Sequence, residues 1–328
     1  MPGFKQDAGG VSQRSTSCCV NAFFLVGPTA VGKTTLAVEL AEQFDAEIVN
    51  ADAFQIYRGL DILTAKPDAE SQRRVRHHLL GQISLAETMS AARFGELARN
   101  ALADIHSRER NAIVVGGSGL YLKAVTHGFD QVPPPNLELR EELSALSTIE
   151  LGLRLKKLHP ILAAHTDLRN PRRVTRAIEI ALSVIPSDVE GSRRETFKVT
   201  SSGSLDSARD DGLRHCGVLL VRDRDELYQR INERVKAMFC HGVEEEVRAL
   251  QEIGPTAASA LGLKEIRAWI AGQISREECI AKIQQATRRY AKRQLTWFRH
   301  QTTFPQLNLT PFSHREAVRA ITQMFGRA

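Results

Sequence analysis

The stretch Ala22-Phe23-Phe24-Leu25-Val26-Gly27-Pro28-Thr29-Ala30-Val31-Gly32-Lys33-Thr34-Thr35 decides the fold. Its opening apolar run reads as a strand buried on both faces. Gly27 to Thr34 then follows the pattern G-x-x-x-x-G-K-[ST]. Beyond it, Leu36, Leu40 and Phe44 recur at i, i+4 and i+8, one face of a helix. Strand, glycine-rich turn and helix are the context in which a backbone wraps a phosphate. Glycines permit close approach, and backbone N–H groups at the helix N-terminus point at the anion. Lys33 adds a point charge, and the Thr34 hydroxyl can hold Mg²⁺.

Working outward, Glu47-Ile48-Val49-Asn50 is a second strand, ending just before Asp52. Phe94 to Ile105 reads as a helix, and Ala112-Ile113-Val114-Val115 as a third strand that runs into Gly116-Gly117-Ser118-Gly119. This alternation predicts an α/β fold with a doubly wound parallel sheet flanked by helices. Val132-Pro133-Pro134-Pro135 breaks the chain, and Glu138 to about Leu182 is helical and charged. Pro186 to Asp211 is rich in Ser, Arg and Asp and has no sustained period. Val218 to Val221 reads as a returning core strand, and Glu226 to His300 as helical. The organisation expected is a disordered tail (1–20), a first core segment (21–130), a helical insertion (131–185), a flexible insertion (186–211) and a second core segment with basic C-terminal helices (212–328).

The 328 residues, 42% hydrophobic and 25% charged, suit a globular core with a subdomain. No apolar run reaches the ~18 residues that span a bilayer, and the first twenty residues lack a signal-type apolar region. The five cysteines include no C-x-x-C pair, which argues against a disulfide framework and a zinc site. A reducing, cytoplasmic setting is expected. The net charge of +6 permits a polyanionic partner. Part of it is concentrated: Ile280 to His300 holds Lys282, Arg288, Arg289, Lys292, Arg293 and Arg299 and no acid. Arg289, Arg293, Thr296 and His300 share one helical stripe, interleaved with Tyr290, Trp297 and Phe298. That combination suits RNA phosphates and unpaired bases, with Trp297 and Phe298 expected in the core and the cations facing RNA.

A phosphate loop does not say which phosphates it holds. Most pair with an Asp at the end of another strand. Here the strand at Ala112–Val115 ends without an acid, whereas Glu47–Asn50 leads to Asp52. The chemistry alone leaves two readings: a small-molecule kinase with Asp52 as base or metal partner, or a diphosphate-substrate transferase with Asp52 as base. A third, an RNA-binding module with a vestigial loop, would predict a damaged Lys33 or Thr34, and both are intact.

Further blocks add a resemblance. Asn50 to Tyr57, Thr64-Ala65-Lys66-Pro67, His77-His78-Leu79, Gly116 to Tyr121, Asn170 to Glu179, Arg224 with Leu227-Tyr228 and Arg230-Ile231-Asn232, Ala260 to Glu265, and Thr287 to Arg299 follow in the order of the tRNA dimethylallyltransferase family, which the chain resembles from about Phe23 to His300. Ala53 and Ser118 stand where that family usually has Ser and Thr.

The resemblance implies a P-loop NTPase-like sheet with a helical insertion that binds tRNA. It implies a reaction that moves a dimethylallyl group from dimethylallyl diphosphate to the N6 of the adenosine 3′ of the anticodon, position 37. The cradle would be Gly27, Pro28, Thr29, Ala30, Val31, Gly32, Lys33, Thr34 and Thr35, with Mg²⁺ at Thr34. Asp52 would be the general base, Ser118 a hydrogen-bonding group beside the reacting centre, and Arg224 a further cation for the diphosphate. The tRNA anticodon stem-loop would be met by Asp52, Ala53, Phe54, Gln55, Ser118, Arg140, Arg172, Arg173, Arg176, Arg289, Lys292, Arg293, Gln294, Trp297 and Arg299. No membrane and no obligate protein partner is implied, and a monomer is the default.

Overall fold

In the computed structural model the described residues are 22–128, 136–183 and 215–325. The expected tail (1–20), the proline break and the flexible insertion (186–211) lie outside them. The chain forms two compact units, one within Met1–His127 and Ala208–Ala328, the other within Gly128–Ser207.

The first unit begins with β1 (Ala22–Val26), α1 (Lys33–Gln43) and β2 (Ala46–Ala51). It continues through α2 (Ala69–Arg74), β3 (His77–His78), α3 (Ala91–Ser107), β4 (Asn111–Gly116) and α4 (Gly119–Thr126). The second unit holds α5 (Leu137–Ser144), α6 (Thr148–Leu158), α7 (Pro160–Ala164) and α8 (Pro171–Ser183) around Leu151, Leu155, Val174 and Ile178. The chain returns to the first unit with β5 (His215–Val221), α9 (Arg224–Cys240), α10 (Val243–Ala249), α11 (Leu263–Ile270), α12 (Arg276–Gln301), β6 (Gln306–Asn308) and α13 (His314–Phe325).

All six strands are parallel, in the order β3-β2-β4-β1-β5-β6. The continuous apolar runs follow from helices covering both faces. Phe24 and Val26 of β1 face one cluster with Val49, Val114 and Leu219. Phe23 and Leu25 face the other, with Ile48, Ile113, Val218 and Leu220. Because β4 lies between β1 and β2, the loops that leave β1 and β2 open at the same carboxyl edge across β4. Such a crevice is where open α/β sheets place ligands.

The expected core strands and the helices after them are all present. Two short strands were not anticipated. His77-His78 reads as a polar motif, and Gln306–Asn308 is too short to show a period. The acid in β2, Glu47, is buried and accepts hydrogen bonds from Arg108 and, at 2.6 Å, His78 Nε2, which ties β2 to β3 and to the end of α3. Burial pushes its carboxyl up, but those partners outweigh it and hold the group down at about 2. No helix among the described residues is long and apolar enough to cross a membrane.

Candidate active site

The loop after β1 turns through Gly32, whose φ of 105° at the start of α1 is open to glycine and strained for other residues. Lys33 Nζ folds back to donate to Gly27 O at 3.0 Å and Pro28 O at 2.8 Å. Burial lowers its pKa to about 8, with Asp52 opposing the shift and Arg234 adding to it. The Thr29, Lys33, Thr34 and Thr35 side of the loop lines a cavity of about 240 Å³.

Asp52 lies on the opposite wall, one residue past β2. Its Oδ1 accepts from Phe54 N at 2.9 Å and Gln55 N at 3.3 Å, a short turn that an Asp after a strand forms readily. Its Oδ2 accepts no hydrogen bond from the described residues. Gln55, also on the wall, spends its amide on Thr64 O and Ala65 O at 3.0 and 3.1 Å.

Arginines from beyond β5 hold the phosphate loop in shape. Arg222 Nε donates to Val31 O at 3.0 Å, Arg230 Nε to Ala30 O at 2.9 Å, and Arg234 NH1 to Thr29 Oγ1 at 3.0 Å. Arg230 and Arg234 also line the cavity. Burial depresses Arg234, and Asp52 partly offsets it. Sequence reasoning gave Arg230 and Arg234 no role. Their signal was the i, i+4 spacing on a helix that starts just after a core strand.

Arg224 does not join this cradle. It is exposed at the first turn of α9, with its guanidinium over the Tyr228 ring at 5.2 Å. Six residues before Arg230 is about 240° around the helix, which turns Arg224 away from the loop. Arg230 and Arg234, not Arg224, are the arginines that line the cavity.

Gln294 also departs from expectation. It is buried, 6% exposed, rather than on an RNA-facing surface. Its Oε1 accepts from Thr29 N at 2.9 Å, and its Nε2 donates to Gly117 O at 2.8 Å. Ser118 caps α4 without a side-chain cap bond, and its backbone N donates to Ala51 O at 3.4 Å. Ser118 itself is not among the residues that line the cavity, whose wall includes Val115 and Gly116 just before it in the chain. Ala53 and Phe54 are half-buried.

On α12, Arg289, Lys292, Arg293, Thr296, Arg299 and His300 are exposed or half-exposed, as the stripe predicted. Phe298 is fully buried, and Trp297 is half-buried against Gly119 and edge-on to Phe298. In the second unit, Arg172 and Arg173 are exposed, but Arg140 and Arg176 are committed. Arg140 grips buried Glu179 with bonds of 2.7 and 3.0 Å, and Arg176 donates to it at 2.9 Å. Arg140 thereby ties α5 to α8, while Arg176 pairs with Glu179 within α8, and both guanidiniums are engaged by that carboxylate.

A parallel sheet whose central strand feeds a G-x-x-x-x-G-K-[ST] loop, with a carboxylate and two arginines lining the same cavity as that loop, defines a P-loop-type fold. The comparisons narrow the class. A family model described as "IPP transferase" matches residues 55–301. A protein of an Exiguobacterium species named "tRNA dimethylallyltransferase" is 42% identical over 84% of this chain and 86% of its own length. One of the same name from Akkermansia muciniphila is 40% identical over 88% and 93%. The crystal structure of a tRNA isopentenylpyrophosphate transferase from Bacillus halodurans is 33% identical, with a TM-score of 0.67 over 93% of this chain and 95% of that one. The chain belongs to the IPP transferase family.

Proposed function

We propose that the protein transfers a dimethylallyl group from dimethylallyl diphosphate to N6 of the adenosine at position 37, beside the anticodon of tRNA. The relatives' names and the family support the transferase class and a tRNA substrate over the small-molecule kinase reading. The single observation that carries the chemistry is that Asp52, whose Oδ2 accepts no hydrogen bond from the described residues, lines one cavity with Lys33, Thr34 and Arg234.

In this reading the diphosphate lies in the loop Gly27–Thr35, and its charge is met by Lys33, Arg230 and Arg234. The adenine amine attacks C1 of the prenyl group, and a C–N bond forms as the C–O bond breaks. The electron pair leaves on the bridging oxygen, and the amine proton passes to Asp52 Oδ2. Cations already aimed at developing charge are usually the largest catalytic contribution. A base within ~3 Å of the proton contributes about 10²–10⁴-fold. Ser118 supplies a hydroxyl beside the target base, which must leave its stack to enter. Binding of the stem-loop falls to the exposed cations of α12 and to Arg172 and Arg173 of the second unit.

Mg²⁺ fits the donor set. It keeps most of its waters and binds through one or two protein oxygens plus substrate phosphates, and Thr34 at the start of α1 offers a hydroxyl to the cavity with Asp52 opposite. Once bound, it would neutralise charge on the diphosphate. The cytoplasm, where unmodified tRNA is made, is the proposed location.

The test is to incubate the protein with unmodified tRNA, dimethylallyl diphosphate and Mg²⁺ and digest the RNA to nucleosides. N6-isopentenyladenosine is expected. Unmodified adenosine together with consumption of ATP would favour the kinase reading.

A further inference from the structure

The cavity wall opposite the phosphate loop is an irregular segment, Leu60 to Pro67, whose Ala65 and Pro67 line the site. Its own bonds close it into a turn: Ala65 N donates to Ile62 O, Lys66 N to Asp61 O and Thr64 Oγ1 to Leu60 O, and Lys66 pairs with Asp61. Ala65 sits at φ 47°, the left-handed region that a non-glycine residue occupies only when its surroundings impose it. Leu60 and Leu63 are buried and anchor the segment to the core. They fix where it attaches, not where its carbonyls point.

The carbonyls matter to the reaction. Thr64 O accepts from both Gln55 Nε2 and Arg234 NH2, at 3.0 and 2.9 Å, and Ala65 O accepts from Gln55 at 3.1 Å. Gln55 N in turn donates to Asp52 Oδ1, and Arg234 NH1 holds Thr29 of the phosphate loop. One short stretch of backbone therefore connects the turn that carries Asp52 to the loop that cradles the diphosphate.

One side chain from outside the cavity adds to those bonds at the start of the stretch. Glu246, on α10, accepts three consecutive backbone N–H groups: Asp61 N and Ile62 N on Oε2, both at 2.7 Å, and Leu63 N on Oε1 at 2.9 Å. Three charge-assisted bonds to successive amides define the orientation of the peptide planes that precede Thr64. Glu246 does not line the active-site cavity.

We propose that Glu246 is a positioning residue for prenyl transfer. It braces the 61–67 wall so that Gln55 and Arg234 hold Asp52 and Thr29 at their working separation. The inference rests on the transfer reaction proposed above. Catalytic geometry is sensitive to such bracing, since a misplacement of about 1 Å can cost on the order of 10²-fold in rate.

The test compares Glu246→Ala and Glu246→Gln with wild type. It reads kcat, tRNA affinity, thermal midpoint, and amide hydrogen exchange at Asp61 to Leu63 with and without inorganic diphosphate. Expected for Glu246→Ala are fast exchange at those amides, a kcat lower by about 10- to 100-fold and unchanged tRNA affinity. Glu246→Gln keeps the chain length and one acceptor, so it should recover part of the rate. Wild-type kcat in Glu246→Ala, or a loss of rate matched by equal loss of tRNA affinity, overturns the proposal. Should Glu246→Ala fail to fold, Glu246→Gln decides: reduced kcat at a wild-type midpoint supports the brace, and unchanged kcat refutes it. If wild type itself transfers nothing, the functional reading fails, while hydrogen exchange still reports whether Glu246 braces the wall.

Discussion

Gln294 joins Thr29 to Gly117, accepting from one backbone and donating to the other at 2.9 and 2.8 Å. A long helix thus reaches under the sheet's carboxyl edge and ties the phosphate loop to the glycine-rich turn after β4. Gly117 is required for the approach, because a Cβ there would lie 2.3 Å from Gln294 Nε2. Gln294→Ala should cost about 1–3 kcal/mol by leaving a buried carbonyl unsatisfied. It should also raise the KM for the prenyl donor. Gly117→Ala should act largely through the same pairing, with a further contact of its Cβ at 3.0 Å from Gly27 O, so the double variant should lose less than the sum of the two single losses. Urea denaturation and donor titration of the three variants check this.

The ammonium of Lys33 provides a pH signature. Its folded pKa, about 8, lies below the ordinary 10.5. Burying the protonated form therefore costs stability below pH 8, and that cost is relieved as pH rises from about 8 towards 10.5. Ligand binding runs the other way, because the diphosphate needs the charged form. Affinity for inorganic diphosphate should fall as pH rises through about 8, by up to about tenfold per pH unit. Calorimetric titration of wild type and Lys33→Met checks it: the step should vanish in the variant, which binds weakly throughout.

Much of this was legible in the sequence. Gly27–Thr34 and the apolar runs on either side of it specify the central strand, the loop and α1, because a buried parallel strand leaves a continuous apolar signature. Asp52 was identifiable as the acid at a strand end. The placements that could not be read there have a common cause. Arg224, Gln294, Arg140 and Arg176 were assigned by residue type and block resemblance, whereas their roles depend on which side of a helix they occupy and what lies opposite. Arg224 is turned to solvent, and Gln294 points into the core edge. Arg140 and Arg176 answer a buried Glu179 that nothing in its own neighbourhood of sequence marks as buried. Arg230 and Arg234 were overlooked for the converse reason, since their partners are loop atoms some two hundred residues earlier.

The arginines on the two units should separate experimentally. Arg289→Ala combined with Arg293→Ala should weaken tRNA binding and flatten its salt dependence, by about one unit of slope for each phosphate no longer neutralised. The rate at saturating RNA should be unchanged. Arg140→Ala should instead destabilise the helical unit by about 1–3 kcal/mol, because Glu179 is deprived of its bidentate partner while staying buried. Salt-dependent binding curves and thermal melts, run on both variants, distinguish the two outcomes.

The central claim is that Asp52 takes the amine proton across the cavity from the phosphate loop. Asp52→Asn keeps an acceptor for Phe54 N and Gln55 N but removes the base. The decisive measurement is single-turnover transfer of label from dimethylallyl diphosphate to unmodified tRNA, with both substrates saturating, in wild type and Asp52→Asn. The account predicts a rate lower by about 10²–10⁴-fold in the variant, with tRNA and diphosphate affinities unchanged. Equal rates in the two proteins, or a loss accounted for by weaker substrate binding, would contradict it.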